Sequence, residues 1–462
     1  MPNSITALSF LSVSFFLLSL KQRDCMPILL LISAVLILVL LITVVKLHPF
    51  LSFLLVSIAV GLATKMEVGK IMGAIQKGIG DIMGSLLVIL IIGAMLGKLV
   101  ADSGAANKIA DSLIQAFGSK RVQWALVATA FIVGIPLFYG VGFVLLVPLV
   151  ITIAEKYKIP AVYLGLPTLA ALSVTHGYLP PHPSPVALAE QFHADLGKTL
   201  LYGFMIAIPA IIIAGPLFSI TLKKYHSKPL AVFTNQHIED QKLPSLFFSI
   251  LAAFLPVLLI ALDTIVKIIF PEKTLFTQLI HTIGDPSIAM LISLIIALYT
   301  LGIKQGKKIE TIMKPMGDAV KDISGILLII AGAGALKQIL SDSGISNELI
   351  QPLSGLSIHP LLLAWSISAV IRVSVGSATV AGLTTAGIVA PLIASTGVNP
   401  SLMVLATGAG SLMFSHVNDP GFWMFKEYFN LTVKETIKTW SIMETIVSVV
   451  GLIGVFLINS FL

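Results

Sequence analysis

Twelve apolar runs divide this chain, and they limit its fold more than any other feature. They are Ile28–Val45, Pro49–Ala63, Ile82–Val100, Trp124–Ala154, Ala161–Thr175, Leu200–Leu222, Leu246–Phe270, Ile288–Gly302, Ile323–Leu340, Leu361–Thr396, Ser401–Phe414 and Ile437–Ile458. A helix that crosses a bilayer needs about 20 mostly apolar residues, and most of these runs meet or approach that length. Charged residues make up only 11% of the 462 positions, against roughly a quarter in soluble domains. Too few charges remain to cover a water-facing surface, so lipid must cover much of the molecule. A disordered chain, a disulfide scaffold and a nucleic-acid binder are excluded. The net charge of +7 is spread between apolar runs rather than gathered on one face, and Cys25 is the single cysteine. The expectation is an all-α polytopic membrane protein with about 10–14 membrane segments.

Two runs are too long for one straight helix. Trp124–Ala154 contains Pro136, Gly140, Gly142 and Pro148, and Leu361–Thr396 contains Gly376, Gly382, Gly387 and Pro391. Proline removes a backbone donor and glycine loosens a helix. At membrane depth such breaks survive where the backbone is buried in protein or lines a polar cavity, so broken or re-entrant helices are expected in both places. Residues 1–25 read as an N-terminal extension or peripheral segment, because Phe10–Leu20 is too short to span and lacks the features of a signal peptide. The polar stretch 223–244 separates a first transmembrane unit, 26–222, from a second, 245–462. It shares its lysine content with Lys304–Asp322, and two apolar runs lie between them. Both stretches should therefore face the same side, which the positive-inside rule makes the cytoplasm of a multi-pass inner (plasma) membrane protein.

Sliding the chain against itself by 240 residues aligns polar landmarks. Asp102-Ser103-Gly104 falls on Asp342-Ser343-Gly344, Asn107 on Asn347, Pro160 on Pro400, His176 on His416 and Pro180 on Pro420. Shared hydrophobicity would align leucines, not histidines and prolines. Two internal repeats are expected, with a substrate held between them.

The polar residues that could carry chemistry cluster at the ends of apolar runs. Ser173–Pro185 holds His176 and His182 among four prolines, and Ser415–Phe422 holds His416, Asn418 and Asp419. An aspartate at membrane depth is costly and tends to be paired or to line a polar path; at an interface it would instead cap the following helix. Within the second broken run, Ser374, Ser377 and Thr379 surround Gly376, a pattern suited to a turn that presents amides and hydroxyls to an anion. Arg372 could hold a carboxylate bidentately, or a structural partner such as Asp419. Tyr139 stands at the matching place in the first broken run. No phosphate-binding Gly-Lys-Ser/Thr loop, HExxH pair, cysteine cluster or Gly-x-Ser-x-Gly elbow is present. No cofactor is implied, and ion-gradient transport is favoured over a pump, a channel or an intramembrane enzyme built on His176, His416 and Asp419.

Five segments resemble the gluconate permease family, gluconate:proton symporters of the ion transporter superfamily. They are GAMLGKLVADSG (93–104), ALSVTHGYLPPHPSPVA (171–187), GKTLLYG (197–203), GSATVAG (376–382) and SHVNDPGFWMFKEYFNLTVKETIKTWSIMETI (415–446). The resemblance runs from Met26 to the C-terminus and is nearer the gluconate-type branch than the D-serine branch. It implies inverted repeats with re-entrant hairpins and a transport domain moving against a scaffold. Its members commonly carry Asp or Glu where this chain has Gly140. The expectation is thus a secondary active transporter of gluconate or a related sugar acid, coupled to protons. A keto-sugar acid or D-serine is the alternative cargo, and a homo-oligomer is compatible with the sequence. The residues expected to bind substrate are Tyr139, His176, Arg372, Ser374, Gly376, Ser377, Thr379, His416 and Asn418. Asp419, His176 and Glu155 are expected to handle the proton.

Overall fold

Residues 25–225, 243–270, 272, 274–348 and 358–462 are described by the structure, a computed structural model. Among them every regular element is a helix. Eight are long and apolar enough to cross a membrane: Val68–Asp102, Tyr139–Tyr157, Leu196–Leu222, Leu246–Ile269, Pro286–Gln305, Ser324–Asp342, Ala378–Thr396 and Val433–Asn459. Shorter apolar helices include Pro49–Ala63, Pro360–Val375 and Pro400–Gly410. The expectation for residues 1–25 lies almost wholly outside the described residues, as does most of that for 223–244.

A recurring local signal starts these helices. Six of them have proline at the first helical position, where its missing N–H would be unpaired in any case: Pro49, Pro183, Pro286, Pro360, Pro400 and Pro420. The residue before each is His, Asp or Asn. The side chains of His48, Asp285, His359, Asn399 and Asp419 accept hydrogen bonds from the opening backbone amides.

Both long runs are broken. The first divides into Val122–Gly134 and Tyr139–Tyr157, the second into Pro360–Val375 and Ala378–Thr396. Each pair packs on a central helix, Ala161–Tyr178 in the first case and Pro400–Gly410 in the second. These two central helices are buried nearly all round, as a helix without a polar face must be. They approach each other at a glycine step: a β-carbon on Gly408 would lie 2.3 Å from the carbonyl oxygen of Gly177. Outward-facing residues such as Leu36, Met205, Ile208, Leu258, Ile268 and Leu457 are exposed, and together they form the lipid-facing belt.

Several helix starts in the two halves correspond, but not at one fixed spacing. Gly104 (φ 78°) and Gly344 (φ 83°) have the same left-handed conformation and stand 240 residues apart. Beyond the central helices the spacing falls to 237: Pro183 and Pro420 both open short helices, and Leu196–Leu222 and Val433–Asn459 are both 27 residues long. The alignment of Pro180 with Pro420 is therefore corrected. Pro180 lies in the turn between helices, and the residue that matches Pro420 by position is Pro183. His176 and His416 also differ in setting. His176 lies in the last turn of a helix, whereas His416 lies in the irregular segment after Gly410.

Candidate functional site

The second helix break is built by Gly376, whose φ of 82° is strained for any residue with a side chain. A β-carbon there would also lie 2.2 Å from the carbonyl oxygen of Asn418. The chain resumes as a helix at Ala378, capped by Ser377, whose hydroxyl accepts from the Val380 amide at 3.3 Å. The carbonyls left free at the end of Pro360–Val375 need donors, and nearby side chains supply them. Arg372 donates to the Gly376 carbonyl, and Asn418 Nδ2 to those of Val373 (2.8 Å) and Ser374 (3.3 Å). His416 Nε2 shares the Val373 carbonyl at 2.9 Å.

Arg372 also forms an ion pair with Asp419. The Asp419 carboxylate accepts in addition from the Ser415 hydroxyl and from the Gly421 amide at 2.8 Å, so it caps the helix Pro420–Tyr428. Ser415 in turn accepts from the Trp440 indole at 2.8 Å. Trp440 stacks on Phe425 with ring centroids 5.3 Å apart. A buried guanidinium is thereby fixed from several directions.

The first break is held more lightly. Its freed Gly134 carbonyl accepts from His182 Nε2 at 2.7 Å. The Tyr139 ring lies 5.7 Å from that of His176 and 6.4 Å from Trp440. A β-carbon on Gly140 would meet nothing within 4 Å.

Between the two breaks lies a cavity of about 350 Å³, within the size range of small-molecule sites. Of the residues the sequence singles out, Tyr139, His176, Arg372, Gly376, Ser377 and Thr379 line it, together with Asp419. Ser374, His416 and Asn418 do not; the Ser374 hydroxyl, His416 Nε2 and Asn418 Nδ2 bond backbone carbonyls near the break, and Asn418 Oδ1 is buried without a partner. Glu155 is exposed near the far end of Tyr139–Tyr157, about 24 Å from Tyr139 along a helix rising 1.5 Å per residue. It is remote from the cavity.

Three lining residues with polar side-chain atoms were not among the expected site residues: Ser173, Trp440 and Glu444. Glu444 was detectable, since a lone carboxylate inside the apolar run Ile437–Ile458 is by default a functional residue. Ser173 and Trp440 carry no such mark.

The cavity suits a small anion. The helices Tyr139–Tyr157, Ala378–Thr396 and Pro420–Tyr428 all begin at its wall, and helix N-termini favour negative charge. Hydroxyls of Ser377 and Thr379 and the guanidinium edge of Arg372 add donors. A second cavity of about 280 Å³ adjoins the first, shares Gly140 and Ile326 with it, and is flanked by Lys98 and Asp322. Among the described residues no group of three or more His, Cys, Asp and Glu could hold a metal ion.

The family model for GntP family permeases matches residues 26–461. This chain belongs to the GntP permease family. Its similarity to individual members is spread over nearly the full length. It is 49% identical to a high-affinity gluconate transporter of Escherichia coli K12, covering 94% of this chain and 99% of that one. It is 48% identical to the Gnt-II system L-idonate transporter of the same organism, covering 95% and 100%. Among solved structures it resembles the YdaH transporter of Alcanivorax borkumensis, with a TM-score of 0.67 at 16% identity over 90% of this chain and 99% of that one. That likeness is one of fold. Membership makes this GntP permease a multi-pass membrane transporter and not an enzyme, and the expected family is borne out.

Proposed function

We propose that this GntP permease takes up gluconate, or a closely similar sugar acid, with protons across the inner (plasma) membrane by alternating access. One observation carries the reading: two broken helices and a buried, braced arginine surround a cavity sized for a small metabolite. Sugar acids are anions at neutral pH, since carboxyl groups titrate near pH 4. The carboxylate sits at the helix N-termini beside Arg372, and the polyol faces Tyr139, His176, Ser377 and Thr379. The relatives' names support this cargo class.

Gluconate and L-idonate are epimers at one carbon, so the same cavity accommodates either in outline. Coupling one proton to one monoanion moves no net charge, and the membrane potential, worth about 2.3 kcal/mol per charge per 100 mV, then contributes nothing. Purified protein in liposomes is expected to accumulate labelled gluconate under an inward proton gradient and to stop when the gradient is collapsed. A competition panel of gluconate, L-idonate, keto-sugar acids and D-serine fixes the preference. Displacement by D-serine alone would overturn the sugar-acid reading, and a steady inward positive current would overturn one-to-one coupling.

A further inference from the structure

We propose that Glu444, held by Ser173, binds the coupling proton in this permease. The inference rests on the proton-coupled reading above and names the residue that performs the coupling.

Glu444 lies in the transmembrane helix Val433–Asn459 and is 2% exposed. One carboxyl oxygen is hydrogen-bonded to the Ser173 hydroxyl of the central helix Ala161–Tyr178. The other, Oε2, is buried with no hydrogen-bond partner. Both residues line the cavity assigned to substrate. Among the described residues no cation forms an ion pair with Glu444. The nearest guanidinium, Arg372, is already engaged by Asp419 and the Gly376 carbonyl.

Two carboxylates line the cavity, and of these Asp419 is held in place while Glu444 keeps an oxygen without a partner. Asp419 carries a guanidinium, a hydroxyl and a backbone amide. It acts as a fixed anion that positions Arg372, so the proton role expected of it passes to Glu444. Tyr178 donates to the Val447 carbonyl, one turn further along the same helix. The Tyr139 and His176 rings lie tilted against each other, and His176 also packs edge-on against His182, which is bonded to Gly134. Tyr139 OH and His176 Nδ1 are likewise buried without a partner, but neither group is a carboxylate that must lose its charge to stay out of water.

An unpaired carboxylate is costly to keep out of water, and that cost vanishes when a proton is bound. Glu444 therefore changes charge by exchanging a proton with the cavity. The proton adds to a carboxyl oxygen while the cavity faces the acidic side and leaves it when the cavity faces the other side. No covalent bond to the substrate forms. An anionic substrate beside an ionised Glu444 would repel it, so substrate and proton bind together.

The test uses the full chain in liposomes containing a trapped pH dye. Wild type is expected to show gluconate-evoked proton entry. Glu444→Gln is expected to lose gradient-driven accumulation at least tenfold while gluconate counterflow persists. Ser173→Ala is expected to shift the pH of half-maximal uptake, and Ser173→Thr to restore it. Glu444→Gln that accumulates and admits protons like wild type overturns the proposal. So does equal loss of accumulation and counterflow in a folded Glu444→Gln protein, which marks a structural role. If Glu444→Gln does not fold, Glu444→Asp decides: an altered pH profile with coupling kept supports the assignment, and an unchanged profile overturns it. Wild-type counterflow without proton entry removes the coupling itself, whereas absence of gluconate flux in every mode removes the cargo reading as well.

Discussion

The two helix breaks share a topology and differ in chemistry. At the second break, Arg372 and Asp419 are buried together, Ser415 braces Asp419, and the side chains of His416 and Asn418 secure the loose backbone. At the first, one histidine bonds one carbonyl, the rest of the lining is neutral, and Gly140 faces open space. The difference suggests a division of labour. Under the proposed function, the second half supplies the fixed charge for the substrate carboxylate. The first half supplies aromatic rings, hydroxyls and room for movement, and it is the side that adjoins the second cavity.

This comparison can be broken by mutation. Arg372→Ala should have the largest effect, because it strands Asp419; losing one partner of a buried ion pair costs about 3–5 kcal/mol. Thermal unfolding in detergent should show that loss, and gluconate binding should fall below detection. Survival of binding would remove the arginine from recognition. Gly376→Ala comes next. Forcing a side chain into the left-handed region costs about 1–3 kcal/mol, and the contact with Asn418 adds to it. Uptake should fail with a measurable drop in melting temperature.

His182→Ala tests the lighter brace. Removing one partner from the buried Gly134 carbonyl should cost about 1–3 kcal/mol, with substrate affinity less affected than in Arg372→Ala. A larger loss than at Arg372 would reverse the proposed division. The smallest effect is expected from Gly140→Ala, where the β-carbon has space. Its transport rate should stay within about threefold of wild type, under ~0.7 kcal/mol. A severe loss would show that the first break is as tightly packed in another state of the cycle as the second is here.

Much of this was legible beforehand. Proline and glycine within overlong apolar runs marked both breaks, because backbone chemistry is local. The Asp419-Pro420 pair offered a helix start for the same reason. That Ser374, His416 and Asn418 lie off the cavity lining was not legible, because a polar side chain near a break can serve either a ligand or the unpaired carbonyls, and only the folded geometry shows where it points. The separation of Glu155 from the cavity became visible only once one continuous helix was seen to run from Tyr139 to Tyr157. The single 240-residue spacing failed beyond the central helices because Pro400–Gly410 is 11 residues long against 18 for Ala161–Tyr178, and the longer turn before Pro420 makes up only part of that difference.

By itself, the sequence determined that this protein is helical, membrane-embedded and broken at two places, since hydrophobicity, proline and glycine act through solvent and local backbone. Only the tertiary structure decided that Arg372 engages Asp419 and that Ser173 meets Glu444 across 271 residues. Such pairings depend on which helix faces lie against each other, and residue type alone does not encode that.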